Sequence, residues 1–144
     1  MTVLADYEVI PTGFTDKNEP VFGEAEIGDA PGINPWTGSF DTGGRLPQRK
    51  FPAFITLMVR GIVNLNTFAP VEINEHSVGF IFSAPNSSFA SWRTQSIVFD
   101  SSILNSGQNR ILIKAVQSPN PSPGDIFDNF RIRNVMCFFR QDSD

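Results

Sequence analysis

Eleven prolines and eleven glycines are scattered along the 144 residues, and most intervals between them are shorter than a three-turn helix. Both residues are costly inside a helix, and the intervals show almost no 3.6-residue period. What they show is alternation. Short runs rich in valine, isoleucine and phenylalanine lie between turn residues, which is the mark of strands in an antiparallel fold.

The runs fall at Thr2–Ile10, Pro20–Ile27, Phe54–Val63, Val71–Ile73, Val78–Ser83, Arg93–Asp100, Arg110–Val116 and Phe130–Phe139. Phe54–Val63 is almost wholly apolar and reads as a central strand, with Arg60 turned outward. Asn74–Ser77 is polar between two apolar runs, which predicts a hairpin. Gln95, Ile97 and Phe99 share one face of their run. The alternation of the last run slips by one near Asn134, which predicts a β-bulge. The segment 28–50 is a long loop rich in glycine and proline, with a short strand at Trp36–Phe40. Ser118–Gly124 carries three prolines and is expected not to pair in a sheet. The pattern predicts one all-β domain over residues 1–144, an antiparallel two-sheet jelly-roll sandwich of about eight to ten strands. Fourteen phenylalanines stand against one tyrosine. A ring without a polar tip belongs inside, so most of them are expected to be buried.

The net charge of −4 disfavours a phosphate backbone as partner. No apolar stretch approaches the roughly 20 residues that span a membrane, and Met1–Ile10 has no basic or apolar leader pattern. A soluble chain without a signal peptide is the reading. The one cysteine, Cys137, lies among apolar neighbours and reads as a buried, inert thiol. The one histidine, His76, sits in the hairpin turn, and no nucleophile elbow is present. The pairs Asp6 and Glu8, Glu24 and Glu26, and Asp125 and Asp128 read as solvated or turn-forming carboxylates rather than a glycosidase dyad. Catalysis is therefore not expected.

Three segments of the second half resemble the galactose-binding-domain-like jelly rolls, the group that includes carbohydrate-binding modules. Ala69–Gly79 (APVEINEHSVG) is similar to their strand–turn–strand. Ser91–Phe99 (SWRTQSIVF) with Leu104–Ile113 (LNSGQNRILI) resembles their tryptophan strand and glycine–asparagine turn. Asp128–Val135 (DNFRIRNV) resembles their closing strand. In that turn Gly107 would supply a positive φ, and Asn105 and Asn109 would bond the turn backbone. The resemblance covers about residues 54–140. It implies a non-catalytic module that binds carbohydrate or, as the alternative, a structural module that forms homo-oligomers or packs into a larger protein complex. It also implies that a calcium ion can be present; Asp125 and Asp128, which bracket a strand start, are the candidate carboxylates, together with Asp41 in the glycine-rich loop.

Sugar recognition needs an aromatic surface with polar groups beside it. Trp36, in the polar loop with Asn34 and Asp41, is one candidate platform. Trp92 is the second, with Asn86 and Arg93 nearby; Arg131 and Arg133 could take an acidic sugar or a partner.

Overall fold

The computed structural model describes residues 3–29, 34–44, 46, 51–62, 68–82 and 91–142. The runs of alternating residues become strands: β1 (Val3–Val9), β2 (Gly13–Phe14), β3 (Pro20–Val21), β4 (Ala25–Ile27), β5 (Trp36–Asp41), β6 (Pro52–Gly61), β7 (Phe68–Ile73), β8 (His76–Phe82), β9 (Arg93–Asp100), β10 (Gln108–Ile113), β11 (Gln117–Ser122), β12 (Asp125–Phe127) and β13 (Phe130–Asp142). The count exceeds the expected eight to ten because β2, β3, β4 and β12 are two or three residues long, too short to show a period. The expected strand over Pro20–Ile27 is split into β3 and β4 around Gly23, leaving Val21 and Phe22 exposed.

Two antiparallel sheets form the jelly-roll sandwich. One has the order β1-β13-β6-β9, with β4 also on β13. The other has the order β5-β10-β7-β8. Alternation decides what lies between them. Ala53, Ile55, Leu57 and Val59 of β6 join Ile132, Val135, Cys137 and Phe139 of β13 in one buried cluster with Ala69, Val71, Ile73, Ile81, Ile111 and Ile113 of the other sheet. The slip at Asn134 is a bulge: Asn134 has φ 52°, and the β13–β6 register shifts between Arg133 and Met136. The bulge also separates the partners of β13, since β4 pairs with Phe130–Ile132 and β1 with Met136–Asp142.

Two expectations about local structure are corrected. The proline-rich segment does pair: Gln117 and Ser122 of β11 meet Phe127 and Asp125 of β12, in a ribbon whose register breaks between them. A ribbon paired on one side only leaves room for proline, which cannot donate. Gly107 does not take a positive φ. Its turn is held by the Asn109 side chain, which donates to the Asn105 carbonyl (3.0 Å) and the Gly107 carbonyl (2.9 Å) and accepts from the Asn105 N–H (2.7 Å).

The phenylalanine expectation also fails. Phe14, Phe22, Phe54, Phe68, Phe80 and Phe82 are exposed, while Phe40, Phe99, Phe130 and Phe139 are buried. Exposed rings are therefore the unusual feature of this surface.

Candidate functional site

Trp36 is not an exposed platform. It is 4% exposed, its Nε1 donates to the Thr12 carbonyl at 3.0 Å, and its ring lies so close over Gly38 that an added Cβ would sit 2.7 Å from it. Strand alternation turned it inward. Asn34 is spent on the backbone, its Oδ1 accepting from Ala115 N–H at 3.0 Å. Asp41 is exposed at the end of β5, accepting from Gly43 N–H at 2.7 Å and Gln108 Nε2 at 3.2 Å. Asn86 lies outside the described residues.

Trp92 and Arg93 part company at the start of β9. Arg93 points to the edge of the sandwich, where its Nη2 donates to the Phe82 carbonyl; desolvation lowers its pKa. Gln95 does the same work beside it, donating to the Phe80 carbonyl at 2.6 Å and accepting from Phe82 N–H at 3.1 Å. These two side chains join the free edges of β9 and β8, which is a structural role. Trp92 lies on the outer face with the Arg133 guanidinium 4.1 Å from its ring centre. Arg131 and Arg133 both reach the Glu24 carboxylate, at 3.4 and 3.9 Å.

Asp125 and Asp128 flank the start and end of β12, Asp125 in the strand and Asp128 just after it. Among the described residues no group of three or more His, Cys, Asp or Glu side chains is placed to hold a metal ion. Asp29, which the same segment holds, faces donors: Ile126 N–H (3.0 Å), Phe127 N–H (3.1 Å) and Asn129 Nδ2 (3.2 Å). Desolvation works to raise its pKa, yet these hydrogen bonds together hold it below the ordinary carboxylate value. A carboxylate ringed by N–H groups is an anchor, not a cation ligand. Glu8 and Cys137 meet across β1 and β13. Burial, with the Glu8 charge adding, pushes the thiol up to about 12, which leaves it protonated and inert.

The arrangement that does gather surface chemistry lies on the outer face of the four-stranded sheet. At one end Phe68 meets Phe82 and Phe80 edge to face, with ring centres 5.4 and 6.4 Å apart and planes at 77° and 67°. All three rings are exposed. Phe80 pairs with Pro70, and two residues further along β7 stands Glu72, roughly 7 Å away at the rise of a strand. Glu72 pairs with Lys114 at 3.6 Å. Beyond it opens a cavity of about 320 Å³ lined by Glu72, Asn74, Glu75, Asn105, Arg110 and Leu112.

The floor of this cavity is rigid for a local reason. Asn74 and Glu75 form the two-residue β7–β8 turn, both at positive φ (49° and 70°), the geometry of a tight hairpin. Asn74 then ties three segments together. Its Nδ2 donates to the Ile103 carbonyl and to Asn109 Oδ1, both at 2.8 Å, and its Oδ1 accepts from Arg110 N–H at 3.0 Å. Asn109 is 3% exposed and makes every hydrogen bond its amide allows. Glu72, Glu75 and Arg110 therefore project from a fixed base.

The sequence reading missed Phe68, Phe80, Phe82, Glu72 and Arg110. A signal was present. Ala69, Val71, Ile73 and Ile81 are the inward set of the hairpin, so the residues between them must face out. The motif residues Asn74, Asn105 and Asn109 lie beneath or beside this cavity rather than at a separate site.

No protein-family model matches the chain, and no curated protein matches it in sequence. Solved structures do. A family 35 carbohydrate binding module from Clostridium thermocellum superposes with a TM-score of 0.50 at 14% identity, covering 96% of this chain and 90% of that one. The chain has the jelly-roll fold of the carbohydrate-binding modules. It also matches part of BuGH86, solved in complex with neoagarooctaose, with a TM-score of 0.52 at 13% identity; 99% of this chain corresponds to 20% of that one. The chain thus spans about a fifth of BuGH86 and most of the free-standing module. No helix among the described residues is long and apolar enough to cross a membrane.

Proposed function

We propose that the chain is a non-catalytic carbohydrate-binding module whose site is the outer face of the four-stranded sheet. One observation carries the reading: a preformed cavity with the charged side chains of Arg110, Glu72 and Glu75 lies on the same sheet face as three exposed phenylalanine rings, of which Phe80 stands two residues along β7 from Glu72. A sugar has an apolar C–H face and a rim of hydroxyls. Phe80 and its neighbours suit the face. Arg110, with a planar fork of donors, can serve two adjacent hydroxyls, and the carboxylates of Glu72 and Glu75 accept from hydroxyls that Arg110 cannot. Asn74 and Asn109 fix the backbone of the base, and what remains to be ordered on binding is the exposed side chains of Glu75 and Arg110. The fold supports the same reading, since it is shared with a carbohydrate binding module.

The test is a glycan array run with calcium and again with chelator, with neoagarooctaose included because BuGH86 holds it. Wild type and Arg110→Ala are compared. The expected result is one sugar class bound equally in both conditions and lost in the variant. Binding that survives Arg110→Ala and Phe80→Ala together would move the site elsewhere. A blank array with folded protein would remove the reading.

A further inference from the structure

The outer face of the five-stranded sheet is built differently. Tyr7, Phe138, Phe54 and Val98 are register partners in sequence across β1, β13, β6 and β9, so they form one straight row over four strands. Tyr7 and Phe138 stack at 5.7 Å, and Phe138 and Phe54 at 4.7 Å with planes 11° apart. Nearly parallel rings that close cannot lie side by side in one plane. They turn their faces to each other and their edges to solvent. This row therefore offers little ring face to a sugar, and no charged residue interrupts it. Yet Tyr7 is 56% and Val98 66% exposed. Val9 and Met136 continue the apolar surface on one side.

We infer that this face packs against the same face of a second copy of the chain, about a two-fold axis that runs along the strands between β13 and β6. That operation lays Phe138 over Phe54 and Tyr7 over Val98. The row is tapered, from a large Tyr7 at one edge to a small Val98 at the other. The two-fold puts large on small at both ends, so the two sheets stay evenly spaced. Charge agrees with the same axis. The next row on the face is Ala5, Arg140, Pro52 and Asp100; Arg140 of one copy then lies over Pro52 and beside Asp100 of the other, twice by symmetry. The exposed parts of Tyr7, Val9, Phe54 and Val98 with Phe138, Met136 and Pro52 amount to roughly 500 Å² per copy on the usual size of such side chains. Two copies would remove about 1,000 Å² from water, the lower limit for a specific interface. A self-complementary patch of that size suits a reversible homodimer. In this dimer the two proposed sugar sites look away from each other, which makes the pair bivalent.

The test is sedimentation of the purified chain over a range of concentrations, with each variant shown to be folded by thermal melting. Wild type is expected to pass from monomer to dimer in the micromolar range. Val98→Glu is expected to weaken association at least tenfold, and Val98→Tyr to weaken it as well, by placing two large rings together. The double variant Tyr7→Val with Val98→Tyr restores large against small and is expected to recover association to within a few-fold. Monomer mass at every concentration overturns the inference, and so does failure of the double variant to recover. Glycan binding per chain should be the same in all of them, so the outcome is separate from that of the array.

Discussion

On the four-stranded sheet the exposed rings of Phe68, Phe80 and Phe82 end at the ion pair of Lys114 and Glu72 and a cavity carrying Arg110. On the five-stranded sheet the row from Tyr7 to Val98 crosses four strands without a charge. The rings meet edge to face on the first and stack in parallel on the second. Edge-to-face rings leave a face open to a flat ligand, whereas the stacked rings turn their edges outward beside an apolar hollow of about 440 Å³ whose lining includes Pro52, Phe54, Val98 and Phe138. Two groups of three rings are thereby suited to different partners, and the position of the charged residues makes the distinction sharper.

The comparison can be broken most forcefully from below the polar face. Asn109→Ala removes a buried side chain and strands the part-buried Asn105 N–H and one N–H of the Asn74 amide, while Thr42 still bonds the Asn105 and Gly107 carbonyls. It should cost about 2–4 kcal/mol in chemical denaturation, since each stranded group is worth about 1–3 kcal/mol. A cost below about 1 kcal/mol would mean that the network does not support the cavity. Arg110→Ala comes next, with an expected loss of about tenfold in glycan affinity by calorimetry and an unchanged melting temperature, because its guanidinium is exposed. Phe80→Ala should weaken the same affinity by a few-fold, while Phe54→Ala on the other sheet should leave it alone. Equal effects from both would erase the distinction between the faces.

The smallest effect concerns neither face but the loop that closes one end of the sandwich. Asp29 has a folded pKa lowered by its N–H donors, so its contribution is complete above the unfolded carboxylate value of about 4 and disappears as pH falls through the lower folded value. Acid unfolding followed by fluorescence should show a shallower loss of stability in this range for Asp29→Asn than for wild type. Identical acid profiles would show that the Asp29 hydrogen bonds contribute nothing to the pH dependence.

Much of the architecture is legible in the sequence. The inward sets of β9 and β13, a hairpin within Asn74–Ser77, the short strand at Trp36 and the bulge at Asn134 all follow from period and turn chemistry. Those are local properties, and alternation needs only a few neighbouring residues to express them. The candidate site was far less legible. Trp36 drew attention because it stands in a polar segment, but the alternation of β5 buried it over Gly38. Arg93 looked available and instead holds the edges of β9 and β8 together.

What the sequence determined by itself is therefore which side of the longer alternating strands faces in, because a period of two is written residue by residue. What only the tertiary structure decided is which outward residues become neighbours. Glu72 and Arg110 are 38 positions apart, and Tyr7 and Val98 are 91 apart. Pairing across β7 and β10 brings the first two to one cavity, and register across β1, β13, β6 and β9 puts the others in one row. Register between distant strands is fixed by the burial of a common core, a property of the whole chain, and no local pattern can state it.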